Sequence, residues 1–121
     1  MTRQEVFDWC RQQYGTEADY PWNDWNAVLR HTENNKWYGV VLEVERRKLG
    51  IDDDGIVDVL NVKCDPIMIG SLRMQEGFYP AYHMNKDKWI SILLDKPELD
   101  ATIKNLLSIS YKLTGGKTEK R

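Results

Sequence analysis

The sequence predicts an α+β domain, with three helices packed on one face of a mostly antiparallel five-stranded sheet. The order of elements is α-β-β-β-α-β-β-α. Three observations predict it. Amphipathic helical stripes stand at both ends of the chain, apolar alternation fills the middle, and an Asp65-Pro66 helix start interrupts the strands. At 121 residues the chain makes one domain, expected over 1–116, with a short basic tail at 117–121. A chain of this size buries roughly two-thirds of its unfolded surface, enough for a real core.

The first helix starts almost at once. Thr2 followed by Glu5 is a capping box, in which each side chain satisfies an orphan N–H of the first turn. Val6, Trp9 and Cys10 fall on one apolar side, and Gly15 ends the helix as a residue that accepts the left-handed conformation. The loop 16–26 that follows is crowded with Tyr20, Pro21, Trp22 and Trp25. Pro21 keeps Tyr20 out of helix, Asn23 and Asp24 favour a turn, and the aromatics are expected to cover one edge of the core. A first strand is expected over 27–32. After the Asn34-Asn35 turn comes a second over 36–45, with Tyr38, Val40, Leu42 and Val44 on its more apolar face.

Residues 46–55, RRKLGIDDDG, place opposite charges on either side of Gly50 and close on Asp54-Gly55, a hairpin signal. Asp52, Asp53 and Asp54 lack the spaced oxygens and distal glutamate of a calcium loop, so the segment reads as a solvated connection. The third strand, 56–62, alternates: Ile56, Leu60 and Val62 share one parity with Asp58, and Val57 and Val59 share the other. Asp65 as N-cap and Pro66 at the first helical position then open a second helix, expected to about Gln75 and capped by Gly77. Its packing face is Ile67, Ile69 and Leu72, or Met68 and Leu72.

Gly77 to Asp95, GFYPAYHMNKDKWISILLD, reads as strand, polar turn, strand. It is a hairpin that carries His83, Asn85, Lys86, Asp87 and Lys88 at its tip, and recognition groups concentrate on loops held by a scaffold. Pro97 opens the last helix. Leu99, Ile103, Leu106, Leu107, Ser110 and Leu113 form its stripe, and Gly115-Gly116 stop it.

Composition narrows the function. No apolar run approaches the ~20 residues of a membrane span, and the N-terminus has no signal-peptide pattern. Cys10 and Cys64 have neither metal-site nor CxxC spacing, so reduced thiols in the cytoplasm are expected, with no cofactor. The net charge of −2 argues against strong, indiscriminate nucleic-acid binding. That charge is uneven. Met1–Leu60 has 7 Lys/Arg against 12 Asp/Glu, a net of −5, while Asn61–Arg121 has 10 against 7, a net of +3. Cys64, just before a helix N-terminus, is a candidate for a lowered thiol pKa with His83 as its base. No oxyanion-hole motif and no third orienting group accompany the pair, so a buried cysteine at a strand end is the better reading and the chain reads as non-enzymatic.

NVKCDP (61–66), GFYPAYHMNKDKWISILLD (77–95) and LLSISYKL (106–113) together resemble the MmcQ/YjbR family, as does the opening TRQEVFDWCRQQYGTEADYPW. The resemblance runs over nearly the whole chain, and KCDP and YHMNKxxW are its most specific strings. It implies a CyaY-like or secretion-chaperone-like α+β fold and a DNA-binding "double wing" of β-hairpins, with no known reaction. Carried over by position, the family's polar cluster falls on Lys63, Asp65, Tyr82, His83, Asn85, Lys86 and Trp89. The acidic, longer 46–55 connection departs from the pattern and would set negative charge on a wing.

The nucleic-acid-binding candidates are therefore Lys63, Tyr82, His83, Asn85, Lys86 and Lys88. The lysines suit phosphate contact, and Tyr79 and Tyr82 suit stacking on bases or shaping the turn. Each has a structural alternative: His83 and Asn85 as hydrogen-bonding ties from the hairpin to the second helix, and Trp89 as half-buried core. Two functions follow: a DNA-binding module using the hairpin wing, or a protein-interaction or dimerising adaptor with an apolar patch on the open sheet face.

Overall fold

The first helix, α1 (Arg3–Tyr14), is held at its start by Thr2 and Glu5. Each accepts the other's backbone N–H, at 3.1 and 2.9 Å, and Gly15 closes the helix at φ 69°. The computed structural model describes residues 1–115. Gly116 and the tail 117–121 lie outside the described residues. Val6, Phe7 and Cys10 are the buried face of α1, with Trp9 half-exposed beside them.

Five strands follow: β1 (Ala27–Arg30), β2 (Trp37–Glu45), β3 (Ile56–Lys63), β4 (Phe78–Pro80) and β5 (Trp89–Leu93). All pair antiparallel in the order β1-β2-β3-β5-β4, so β5 lies between β3 and β4. Helix α2 (Pro66–Leu72) links β3 to β4, and α3 (Asp100–Leu113) closes the chain after a 3-10 turn over Pro97–Leu99. All three helices pack on one sheet face, with Ile69, Leu72, Ile103, Leu106 and Leu107 meeting Leu60, Val62, Ile90 and Ile92. The expected architecture is present. Among the described residues no helix is long and apolar enough to cross a membrane.

Several local expectations are corrected. Tyr38 turns to the helix side, away from Val40, Leu42 and Val44. The cause is a bulge: Leu29 pairs with Gly39 and Arg30 with Trp37, so Tyr38 is an extra residue that flips the alternation. Its hydroxyl donates to Thr16 at 2.8 Å, inside an aromatic cluster where Tyr14 stacks on Tyr111 at 3.8 Å. Helix α2 stops at Leu72 and is followed by Arg73 in ordinary helical geometry. Gly77 therefore caps no helix; at φ 93° it turns the chain into β4. Ile67 is 85% exposed and Ile56 59%, so α2 packs through Ile69 and Leu72, and β3 buries its apolar side only from Val57 onward.

The second sheet face is also covered, among the described residues by connecting segments and a 3-10 turn over Arg46–Leu49 instead of an α-helix. Val28, Val40, Leu42, Val44, Val57, Val59 and Leu93 form a second apolar layer. Leu49 and Ile51 from the 46–55 connection, Tyr79 from β4, and Tyr82 and Met84 from the 81–88 connection lie on it. Arg3 ties α1 to this framework, donating through Nε and Nη2 to the two Asp58 oxygens at 3.1 and 2.9 Å. Its guanidinium lies 4.8 Å from the centre of the Trp25 ring.

Candidate functional site

The β4–β5 connection, 81–88, is laid down on the second sheet face instead of standing off as a free tip. Two polar residues facing this side of the sheet hold it there. Asn61 on β3 and Ser91 on β5 are register partners and fully buried, and the Ser91 hydroxyl donates to Asn61 Oδ1. Asn61 Nδ2 then donates to the Tyr82 carbonyl at 3.0 Å, and the Tyr82 N–H donates to Ser91 Oγ at 3.0 Å. A buried polar set of this kind fixes a loop because each broken bond leaves an orphaned group in low dielectric. Immediately after it, His83 takes φ 60°, a left-handed conformation uncommon outside glycine, and its ring tilts against Tyr82 at 4.0 Å between centres.

Asn85 shapes the remainder of the connection. Its Oδ1 accepts the Asp87 N–H at 2.8 Å, and its carbonyl accepts from Trp89 at 3.0 Å. The expectation that His83 and Asn85 side chains tie the hairpin to α2 is corrected here. The tie is backbone: the Cys64 N–H donates to the Lys88 carbonyl at 2.9 Å, one residue before the Asp65 N-cap. The Asn85 side-chain oxygen serves its own turn.

Of the candidates, Tyr82, His83 and Lys86 come together. With Lys48, Tyr79 and Pro80 they line an open hollow of about 380 Å³ between the two hairpin connections. Lys63 and Lys88 lie apart from it, at the end of the β3–β5 pair where Lys63 registers with Trp89. Asn85 is exposed on the turn between the two groups. Lys48 was hidden in the sequence by the aspartates that follow it. Those acids do not reach the hollow. Arg47 pairs with Asp54 at 2.7 Å, and Asp53 and Asp54 line a separate depression with Glu45, Arg47 and Ile56. Arg46 pairs with Asp95 at 2.7 Å, which holds its guanidinium pKa above the ordinary value.

A second depression of about 310 Å³ adjoins the first across His83, which lines both. Its apolar walls are Trp22, Trp37, Val40, Leu42 and Met84. Trp22 and Trp37 meet edge to face, 5.7 Å between centres at 89°.

Cys64 does not make a nucleophile with His83. It is a buried cysteine at the end of β3, the preferred reading of the sequence, and burial, then the adjacent Asp65 charge, pushes its thiol up to about 11 instead of lowering it. Cys10 is likewise buried and pushed up to about 12 by desolvation. Among the described residues no group of three or more His, Cys, Asp or Glu side chains is arranged to hold a metal ion.

The same fold occurs in known proteins. A crystal structure of a Pseudomonas syringae protein superposes with a TM-score of 0.91 at 42% identity, covering 95% of this chain and 100% of that one. A Deinococcus radiodurans structure at 22% identity shares the fold, with a TM-score of 0.72 over 98% of this chain and 85% of its own. YyaQ of Bacillus subtilis is 44% identical over 116 residues, 94% of this chain and 98% of that protein. YjbR of Escherichia coli K12 is 29% identical over 113 residues, 93% and 86% of the two chains. The YjbR family model matches residues 11–113, and with that span and these relatives the chain belongs to the YjbR family.

Proposed function

We propose that this chain is a non-enzymatic DNA-binding module, acting in a reducing, cytoplasmic setting, that meets phosphate through the sheet face carrying connection 81–88. The observation that carries the reading is the meeting of Lys48 and Lys86 around one hollow, with Asp53 and Asp54 of the 46–55 connection lining another depression. Lysines on two adjacent hairpin connections neutralise backbone charge without reading sequence, the role the double-wing reading requires. Lys63 and Lys88 extend the positive surface toward the end of the β3–β5 pair. Two buried, protonated thiols support the non-enzymatic and reducing parts of the reading.

Fluorescence-anisotropy titration of labelled duplex DNA tests it, at low and at physiological salt, with wild type beside Lys86→Glu/Lys88→Glu. The expected result is binding that weakens steeply with salt and is lost in the variant. Binding that survives both charge reversals in a folded variant assigns the contact to another surface.

A second reading is favoured by the apolar depression of Trp22, Trp37 and Met84: an adaptor that docks a protein partner or a second copy. A monomer in light scattering at high protein concentration counts against the second copy.

A further inference from the structure

The two depressions on the second sheet face differ in chemistry and share a wall. One has two exposed lysines, Lys48 and Lys86, with Tyr79 and Tyr82 beneath them. The other is apolar and aromatic, with Trp22 and Trp37 at right angles as two of its walls. His83 stands between them, held left-handed at φ 60°, next to a loop fixed by Asn61 and Ser91. A non-glycine residue in that conformation persists where its surroundings over-determine it. Volumes of about 310 and 380 Å³ are each of small-molecule size.

A ligand that fills both must carry a planar apolar body next to an anionic group. We propose that the pair forms one bipartite site for a nucleoside phosphate unit, the base entering between Trp22 and Met84 and the phosphate lying at Lys48 and Lys86. This rests on the same lysine-bearing face as the phosphate-contact reading above and narrows its ligand to an unpaired base. A duplex presents phosphates but keeps its bases stacked, so only an unpaired nucleotide occupies the aromatic half. Trp22 is 46% exposed and open to a stacking partner, whereas Val40 and Leu42, at 2% and 7%, form the floor. Asn26 stands at the apolar rim, but its Oδ1 accepts the Glu43 N–H at 2.9 Å and its Nδ2 donates to Asp24 at 3.3 Å. Those bonds use one of the two Oδ1 acceptor sites and one of the two Nδ2 hydrogens, so shape and stacking set most of the preference.

Tryptophan-fluorescence quenching tests the site, with adenosine 5′-monophosphate, a short oligothymidylate, inorganic phosphate and a blunt duplex as separate probes. Wild type is run beside Trp22→Ala and Lys48→Glu/Lys86→Glu, with circular dichroism confirming that both variants fold. Quenching is expected with the mononucleotide or the oligothymidylate. Trp22→Ala should weaken it about fivefold or more, and the double charge reversal should weaken it further. Saturation by the mononucleotide alone identifies a free nucleotide as the source, and saturation only by the oligothymidylate identifies a single strand; either supports the site. Duplex binding with no response to both unpaired probes overturns this inference while the phosphate-contact reading stands. Response to an unpaired probe without duplex binding does the reverse. Quenching that Trp22→Ala leaves unchanged also overturns it.

Discussion

Ser91 donates its hydroxyl hydrogen to Asn61 across the β3–β5 pair, and between them these two fully buried side chains fasten the Tyr82 backbone at both its N–H and its carbonyl. The loop that carries the candidate site thus owes its position to a polar pair inside an otherwise apolar sheet layer.

Removing the hydroxyl tests that dependence. Ser91→Ala leaves the Tyr82 N–H without its acceptor and Asn61 Oδ1 without its donor, and Asn61 itself is fully buried. The expected cost is about 1–3 kcal/mol in urea denaturation. Amide exchange at Tyr82 should accelerate more than at Leu60 in the middle of β3.

The two cysteines set an alkaline limit to stability. Each thiol has a folded pKa raised from the ordinary 9.0, to about 12 for Cys10 and about 11 for Cys64, so the folded state favours the protonated form. Below pH 9 both states hold the proton and this contribution is fully present. As pH rises from 9 toward 12, the unfolded chain releases protons that the folded chain keeps, and stability falls. Tyr38, raised from 10.0 by burial, adds in the same direction. Melting temperature should decline steadily above pH 9, with a shallower decline in Cys10→Ala. Neither thiol should react with iodoacetamide at pH 7.5 until the chain is unfolded.

Gly77→Ala should destabilise more than Gly15→Ala, although both positions have positive φ. A methyl group at Gly77 would sit 2.8 Å from Leu99 Cδ1 and 3.2 Å from Lys96 Cδ, whereas nothing lies within 4 Å at Gly15. The backbone strain is common to both, about 1–2 kcal/mol, and the overlap is added only at Gly77. Parallel thermal melts of the two variants check the order.

Lys48→Glu should weaken duplex binding as Lys86→Glu does and lower the salt slope by about 1 for each phosphate contact removed. Asp54→Lys, in the other depression, should leave affinity nearly unchanged. Anisotropy at three salt concentrations separates the two.

Much of this fold is legible in the chain because its punctuation is local. The Thr2–Glu5 box, Gly15 and Asp65-Pro66 act through hydrogen bonds and dihedrals within a few residues, and each works as its pattern implies. Tyr38 escaped because a bulge is set by its partner strand, and the strict alternation of a single segment carries no sign of it. The site divides in the same way. Tyr82, His83 and Lys86 are neighbours in sequence and in space, but Lys48 joins them through the folding of a different hairpin. Asn61 and Ser91 did leave a signal: each is a polar residue at an inward position between apolar ones, which a buried strand tolerates only with a partner.

The place of β5 between β3 and β4 has a consequence for how the chain is made. Emerging from the ribosome, residues up to Lys63 complete only β1, β2 and β3, and the outer edge of β3 stays bare. Helix α2 and β4 are synthesised next but cannot close that edge, because the strand that pairs with β3 comes last. Until β5 has emerged and paired, the nascent sheet shows an unpaired row of backbone donors and acceptors, the feature that recruits stray strands. A polypeptide stalled inside the 81–88 connection would be adhesive, and the few residues of β5 quench that hazard and dock the 81–88 connection in the same step.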